Sequence, residues 1–271
     1  MKRLLSLFLA VPMLIVSMLN PAAAENVGSS IVIGMVSSST YVIRPLIPGE
    51  RSMVSLFSLV YESLVYEDDS GMIQPLLAED WNVSNSGKTI TFTLRKDIRF
   101  SDGTPITAQD VAASGTYLLE LANNENVTDH GFYQNMKYSI DKFETSGTDT
   151  VIVTCKRGYY GSLCNCIFPV VKANEIDVDN PVGSGPYVIS AFLTGDMMLL
   201  DANTNWWQIQ PQVKQISVSF FSNNKDLMTA YEYGRVDTIF TRSVSAAQYK
   251  SGNSSISMSY STRQLSVGTV V

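Results

Sequence analysis

Apolar residues in this chain follow two rhythms, one of period two and one of steps of three and four. Ile90, Phe92 and Leu94 alternate with Thr89, Thr91, Thr93 and Arg95, which predicts a half-buried strand from Lys88 to Arg95. Ile216, Val218 and Phe220 alternate with Ser217 and Ser219 and predict another. Tyr138 to Glu144 and Thr150 to Lys156 predict paired strands around Ser146-Gly147-Thr148-Asp149. Tyr187 to Leu193 and Met197 to Asp201 predict a second hairpin around Thr194-Gly195-Asp196. Ile31 to Val36 is a continuous apolar run, as a strand buried on both faces shows. Val65-Tyr66 starts a short strand, and Val236 to Phe240 returns to strand at the far end.

The helical rhythm is rarer. Met53, Leu56, Phe57, Val60, Tyr61 and Leu64 make one face of a predicted helix between Pro48 and Leu64. Thr107-Ala108-Gln109-Asp110 opens a second, with Thr107 and Asp110 at capping-box spacing and Val111, Tyr117, Leu118 and Leu121 as its apolar face. Asp226 to Gly234 is a third, with Gly234 as its stop. Asp68-Asp69-Ser70-Gly71, Ser84-Asn85-Ser86-Gly87 and Ser101-Asp102-Gly103-Thr104-Pro105 carry turn chemistry. Leu76, Leu77, Ala78 and Trp81 are expected in the interior, and Leu121 to Gln134 reads as loop. Many strands with a few interspersed helices mean an α/β or α+β chain.

The start of the chain belongs to neither rhythm. Lys2 and Arg3 precede an apolar stretch from Leu4 to Leu19, then Pro21-Ala22-Ala23-Ala24 and Glu25. A positive end, a short apolar core and small residues two apart describe a secretory signal peptide, with cleavage expected after Ala24. The stretch is short for a bilayer span and Pro12 interrupts it. The domain reading is therefore a signal peptide over 1–24 and the mature chain over 25–271. No Cys precedes Cys155, so the segment carries no lipobox, and export to the periplasm or the exterior of the cell envelope is expected.

Composition narrows the function. The chain has 271 residues, 19 Lys plus Arg against 25 Asp plus Glu, and a net charge of −6. Cleavage would remove Lys2 and Arg3 and no acid, which makes the balance more acidic still. A nucleic-acid partner needs a basic footprint that is missing here. His130 is the one histidine, so His-based catalysis and His-rich metal sites have little to work with. The sequence has no Gly-x-Ser-x-Gly elbow, no His-Glu-x-x-His and no phosphate loop. Ser222-Asn223-Asn224-Lys225 matches Ser-x-x-Lys but sits where a helix cap belongs. Asp177-x-Asp179 begins like a calcium loop, but Pro181 stands where a third acidic ligand would fall. Glu67, Asp68 and Asp69 read as a solvated turn, and Val182 to Tyr187 as a tight turn entering a strand. Among Cys155, Cys164 and Cys166, a Cys155–Cys164 or Cys155–Cys166 bridge, or buried thiols, is favoured over a metal site. No catalytic residue, metal or cofactor is assigned.

Four linked segments carry a specific resemblance. Leu59-Val60-Tyr61-Glu62-Ser63-Leu64-Val65 leads through an acidic turn to Gln74-Pro75-Leu76-Leu77-Ala78-Glu79-Asp80-Trp81. Next comes the long run Thr91-Phe92-Thr93-Leu94-Arg95-Lys96-Asp97-Ile98-Arg99-Phe100-Ser101-Asp102-Gly103-Thr104-Pro105-Ile106-Thr107-Ala108-Gln109-Asp110-Val111. Pro181-Val182-Gly183-Ser184-Gly185-Pro186-Tyr187 and Tyr233-Gly234-Arg235-Val236-Asp237 follow. From about Ile31 to Val271 the chain resembles the family 5 extracellular solute-binding proteins of ABC importers, the peptide- and nickel-binding group.

That resemblance implies an α/β, periplasmic-binding-protein-like fold of type II, extended by an extra subdomain, with mixed sheets and flanking helices. It implies a receptor, not an enzyme: two lobes close on a short peptide or similar small solute and deliver it to the permease subunits of an importer. Peptides would be held by backbone pairing with an extended ligand. Pro48-Gly49-Glu50-Arg51 corresponds to a cleft-lining stretch, and the strand near Thr262 and Arg263 to another. Glu50 would meet an ammonium, and Arg51 or Arg263 a carboxylate. Ser184 stands where many members have Thr. In the family the chain crosses into a second lobe after a strand such as Gln264 to Val271, so the expectation is a first lobe with the second missing. A split, non-binding fragment and an exported hydrolase are the competing readings.

Overall fold

The computed structural model describes residues 30–37, 42–126, 131–158 and 160–240. Residues 1–24, read above as a signal peptide, and His130, Thr262 and Arg263 lie outside these residues.

Strands far apart in sequence lie side by side in the larger sheet. Its order is β11-β1-β10-β9-β8. β1 (Ser30–Val36) runs parallel to β10 (Gln215–Phe221), with Ser30 opposite Gln215, and parallel to β11 (Thr238–Phe240), with Ile33 opposite Thr238. β8 (Tyr187–Leu193) and β9 (Met197–Ala202) form the expected hairpin, and β9 joins β10 antiparallel. β1 has a parallel partner on each edge, and Ile33, Gly34 and Met35 along it are buried. Among the described residues the helix Asn224–Glu232 packs on this sheet, capped by Asn223, which accepts the Asp226 N–H at 2.9 Å. Gly34 is required beneath it, because a Cβ there would lie 2.5 Å from Leu227 Cδ1. Asp237 ties β1 to the entry of β11 twice: its carboxylate accepts from Val32 N at 2.7 Å, and its own N–H donates to Val32 O at 2.9 Å.

The smaller sheet is antiparallel, β4-β5-β7-β6. β5 (Thr89–Leu94) and β7 (Thr150–Cys155) are its inner strands, and both alternate buried and half-buried residues as the period-two pattern requires. β6 (Ile140–Ser146) pairs with β7 around the expected turn. β4 (Ala78–Ser84) is a strand the hydrophobic pattern did not indicate. It is an edge strand exposed along most of its length, so alternation is weak, and Trp81 is half-buried, not interior. A short hairpin of β2 (Val65–Glu67) and β3 (Ile73–Pro75) links the two sheets in sequence.

The helices differ in detail from the pattern. The first, α1, covers only Arg51–Phe57. The apolar spacing to Leu64 reflects burial in a turn: the Val60 and Leu59 carbonyls accept from Gly185 N at 2.8 Å and Tyr187 N at 3.0 Å, so the backbone is paired to another segment. Gly183 and Gly185 permit this approach, since a Cβ would meet Val60 O at 2.2 Å or Leu59 O at 2.6 Å. α2 (Ala108–Asn123) has the expected capping box, with the Thr107 N–H donating to Asp110 Oδ2 at 2.9 Å. It runs beyond Leu121, and its buried face is built from Ala108, Val111, Ala112, Ser114, Gly115, Leu118, Leu119 and Ala122, while Tyr117 and Leu121 are half-buried. Small residues let it settle on β6, with Phe143 against Gly115. Tyr138 belongs to the single-turn helix α3 (Met136–Ser139), not to β6. α4 is Asn224–Glu232.

Candidate functional site

The segment Pro48–Arg51 is positioned by its neighbours on both sides. Upstream, Ile43 and Leu46 are buried anchors. Asn180 N–H donates to Ile43 O at 2.8 Å, and the Arg44 guanidinium pairs with Asp179 at 2.7 Å. The two acids that open like a calcium loop thus do structural work: Asp179 holds Arg44, and the Asp177 side chain bonds Tyr117. Downstream, Met53, Leu56 and Phe57 bury one face of α1 and fix its direction.

At the turn itself Gly49 has φ +57, a left-handed conformation that suits glycine, with open space where a Cβ would be. Glu50 is the extended residue that begins α1, and Oε2 of its carboxylate accepts from the Ser52 hydroxyl at 3.2 Å. Arg51 is exposed, and its guanidinium lies 5.2 Å from the centroid of the Phe132 ring. The ring covers one face of the cation, while guanidinium donors lie in its plane. Gly49, Glu50 and Arg51 are thus brought together with Phe132, a residue sequence reasoning did not include. Thr262 and Arg263, the other two expected site residues, lie outside the described residues. Two grooves, of about 310 Å³ and 470 Å³, run between α2 and β6 and are lined by residues such as Gln109, Thr116, Glu120, Asn123 and Phe143. Neither includes Gly49, Glu50 or Arg51. Among the described residues no group of three or more His, Cys, Asp or Glu is placed to hold a metal.

Where the sheets meet, a second polar arrangement was missed. Glu62 is 4% exposed, and its carboxylate accepts from Trp206 Nε1 at 3.1 Å and from Trp207 Nε1 at 3.0 Å. Arg95, at the end of β5, covers the Trp207 ring at 4.8 Å and donates from Nε to Leu76 O. Burial pushes the Glu62 carboxyl up from 4.5 to about 7, against the two indole donors and the field of Arg95. An acid inside the apolar run Leu59–Val65, with a Trp pair downstream, was the available signal. Nearby, Lys172 bridges Asp102 and Glu175, and Asp102 closes its loop by accepting from Thr104 N at 3.0 Å.

A mixed sheet with three parallel strands on one side, followed by a small antiparallel sheet, is the α/β architecture of type II periplasmic binding proteins. The model of bacterial extracellular solute-binding proteins, family 5, matches residues 72–270, and the chain belongs to that family. The nickel-binding periplasmic protein of Escherichia coli K12 is 29% identical over 73% of this chain and 39% of its own length. The dipeptide-binding protein DppE of Bacillus subtilis is 24% identical over 62% of this chain and 35% of its own. Among solved structures, AgaA of A. tumefaciens R10 in complex with agropinic acid superposes with a TM-score of 0.66 at 25% identity, covering 78% of this chain and 43% of that one. The chain therefore spans about two fifths of the length of these relatives.

Proposed function

We propose that this chain supplies the first lobe of an extracytoplasmic solute receptor for an ABC importer, and that its solute is a short peptide handed to membrane permease subunits. The observation that carries the reading is the family match across residues 72–270. The site chemistry agrees with it. Glu50 and Arg51 are adjacent and opposite in charge, as a zwitterionic peptide requires, and α1 and the Arg44–Asp179 pair hold them in place. In this reading Gly49, Glu50 and Arg51 line the solute side together with Thr262 and Arg263. Residues 1–24 direct export and are removed after Ala24. The chain is not an enzyme.

Calorimetric titration of the folded chain with defined di- and tripeptides tests the proposal. Binding heat is expected, with at least about tenfold weaker affinity in R51A and E50Q. No heat with any peptide from a chain that melts cooperatively refutes it, and leaves the non-binding-fragment reading. Peptide or ester hydrolysis above the buffer rate would restore the hydrolase reading. A nickel chelate as solute is a second reading, favoured by the 29% identity to the nickel-binding protein. Heat with nickel–histidine and none with peptides would select it.

A further inference from the structure

Arg51 and Phe132 come from separate parts of the chain and meet at the candidate site. Arg51 is the first residue of α1, whose Met53, Leu56 and Phe57 are buried. Phe132 sits in the 3-10 turn Gly131–Tyr133, just before α3. α3 is pinned three times: Met136 is 1% exposed, the Ser139 carbonyl accepts from Lys156 N at 2.8 Å, and the Lys137 carbonyl accepts from Lys156 Nζ at 2.7 Å. An anchored element thus delivers the Phe132 ring, yet the ring residue is itself 36% exposed. The Arg51 guanidinium stands over it, 5.2 Å from the centroid and within the reach of a cation–π contact.

Arg51 also keeps its donors unspent. Arg44 donates to Asp179, Arg95 to the Leu76 carbonyl and Arg99 to the Gly103 carbonyl. Arg51 donates to no acceptor and pairs with no acid among the described residues. A ring contact leaves the in-plane N–H fork of a guanidinium open to a further partner. The partner that matches a planar two-pronged donor is a carboxylate, whose two oxygens accept both prongs.

We infer that Phe132 is a positioning residue of the solute site: it holds the Arg51 fork ready, so that a solute is selected through a free carboxylate end. This deepens the receptor reading above and rests on it. An exposed arginine samples many rotamers, and ordering them on binding costs affinity. A ring against the guanidinium meets part of that cost in advance. At an exposed position such a contact is worth about two- to fivefold in a binding constant. An amide end carries no charge and one acceptor oxygen, so it gains little from an ordered fork.

The test is calorimetric titration of the full chain with trialanine as the free acid and as its C-terminal amide, in wild type, F132L, F132Y and R51A. Leu keeps apolar bulk without a π face, and Tyr keeps the π face. The wild type should prefer the acid. F132L should weaken the acid about threefold and leave the amide unchanged, and F132Y should restore the acid. R51A should abolish the preference. Without ligand, the Arg51 side-chain protons should carry a ring-current shift in NMR spectra of the wild type and F132Y, and lose it in F132L. Equal effects of F132L on acid and amide, full acid affinity in F132L, or no difference in ring-current shift would overturn the role of Phe132 alone. If neither peptide binds the wild type, the receptor reading fails and takes this role with it.

Discussion

Replacing Glu62 by Gln tests the junction between the two sheets. In the folded chain the Glu62 carboxyl is raised from 4.5 to about 7, foremost by burial, with the indole N–H groups of Trp206 and Trp207 and the charge of Arg95 acting the other way. A raised folded-state value means the native chain holds a proton that the unfolded chain has released. The stabilisation from this group is fully present below about pH 4.5 and is lost as pH rises through about 7. At about 1.4 kcal/mol per unit the loss is on the order of 3 kcal/mol. Urea unfolding followed by circular dichroism between pH 5 and 8 reads it directly. The wild-type chain should lose about 2–3 kcal/mol across that window, and E62Q should be flat there whatever its absolute stability. Trp206 and Trp207 provide a second readout, because a carboxyl in contact with both rings changes their emission when it titrates. A fluorescence transition near neutral pH should appear in the wild type and vanish in E62Q. Identical stability slopes in both chains, or a transition that survives the substitution, would show that Glu62 does not carry this proton.

Other substitutions probe the remaining contacts. Gly183→Ala places a Cβ against the Val60 carbonyl and should cost about 3 kcal/mol in urea unfolding, whereas Gly195→Ala, at φ +75 with open space around it, should cost about 1 kcal/mol. Thr107→Ala should lower stability by about 1 kcal/mol through loss of the α2 cap, and Asp110→Ala by more, since Asp110 Oδ1 also accepts from Ala173 N at 2.9 Å. Burial opposes ionisation of Asp102, but bonds from Lys172 and Thr104 prevail and hold it at about 2. Its stabilisation is therefore present above about pH 4 and lost as pH falls toward about 2, so D102N should flatten the acid limb of the melting-temperature profile.

Period-two segments were the most legible part of the fold. β5 and β10 each have one covered face, so alternation reports burial directly. β4 escaped because an exposed edge strand has little burial to write into its pattern. The predicted helix from Pro48 to Leu64 was half right for a related reason: apolar spacing records which side chains are buried, not what their backbone pairs with. Leu59 and Val60 are buried, yet their carbonyls serve Tyr187 and Gly185. Of the candidate site, the glycine turn and the two adjacent charges are legible in Gly49-Glu50-Arg51. Phe132 was not, because its relation to Arg51 spans a distance in sequence that no local pattern encodes. Glu62 was read as part of a family motif and not as a buried acid, since its indole partners arrive from the segment after β9.

The pairing of β1 also sets a timetable. The hairpins β2–β3, β6–β7 and β8–β9 close between neighbours in the chain, and each can form as soon as it has been synthesised. β1 is made before any of them but finds its two partners only when residues 215–240 exist. Through most of synthesis it is an apolar strand with both edges open. The order of manufacture and the order of assembly run opposite to each other, and the first strand made of the larger sheet is the last to be enclosed. A ribosome-bound chain would thus present Ile31–Val36 to whatever holds unfolded segments, and final folding would wait on the arrival of β10.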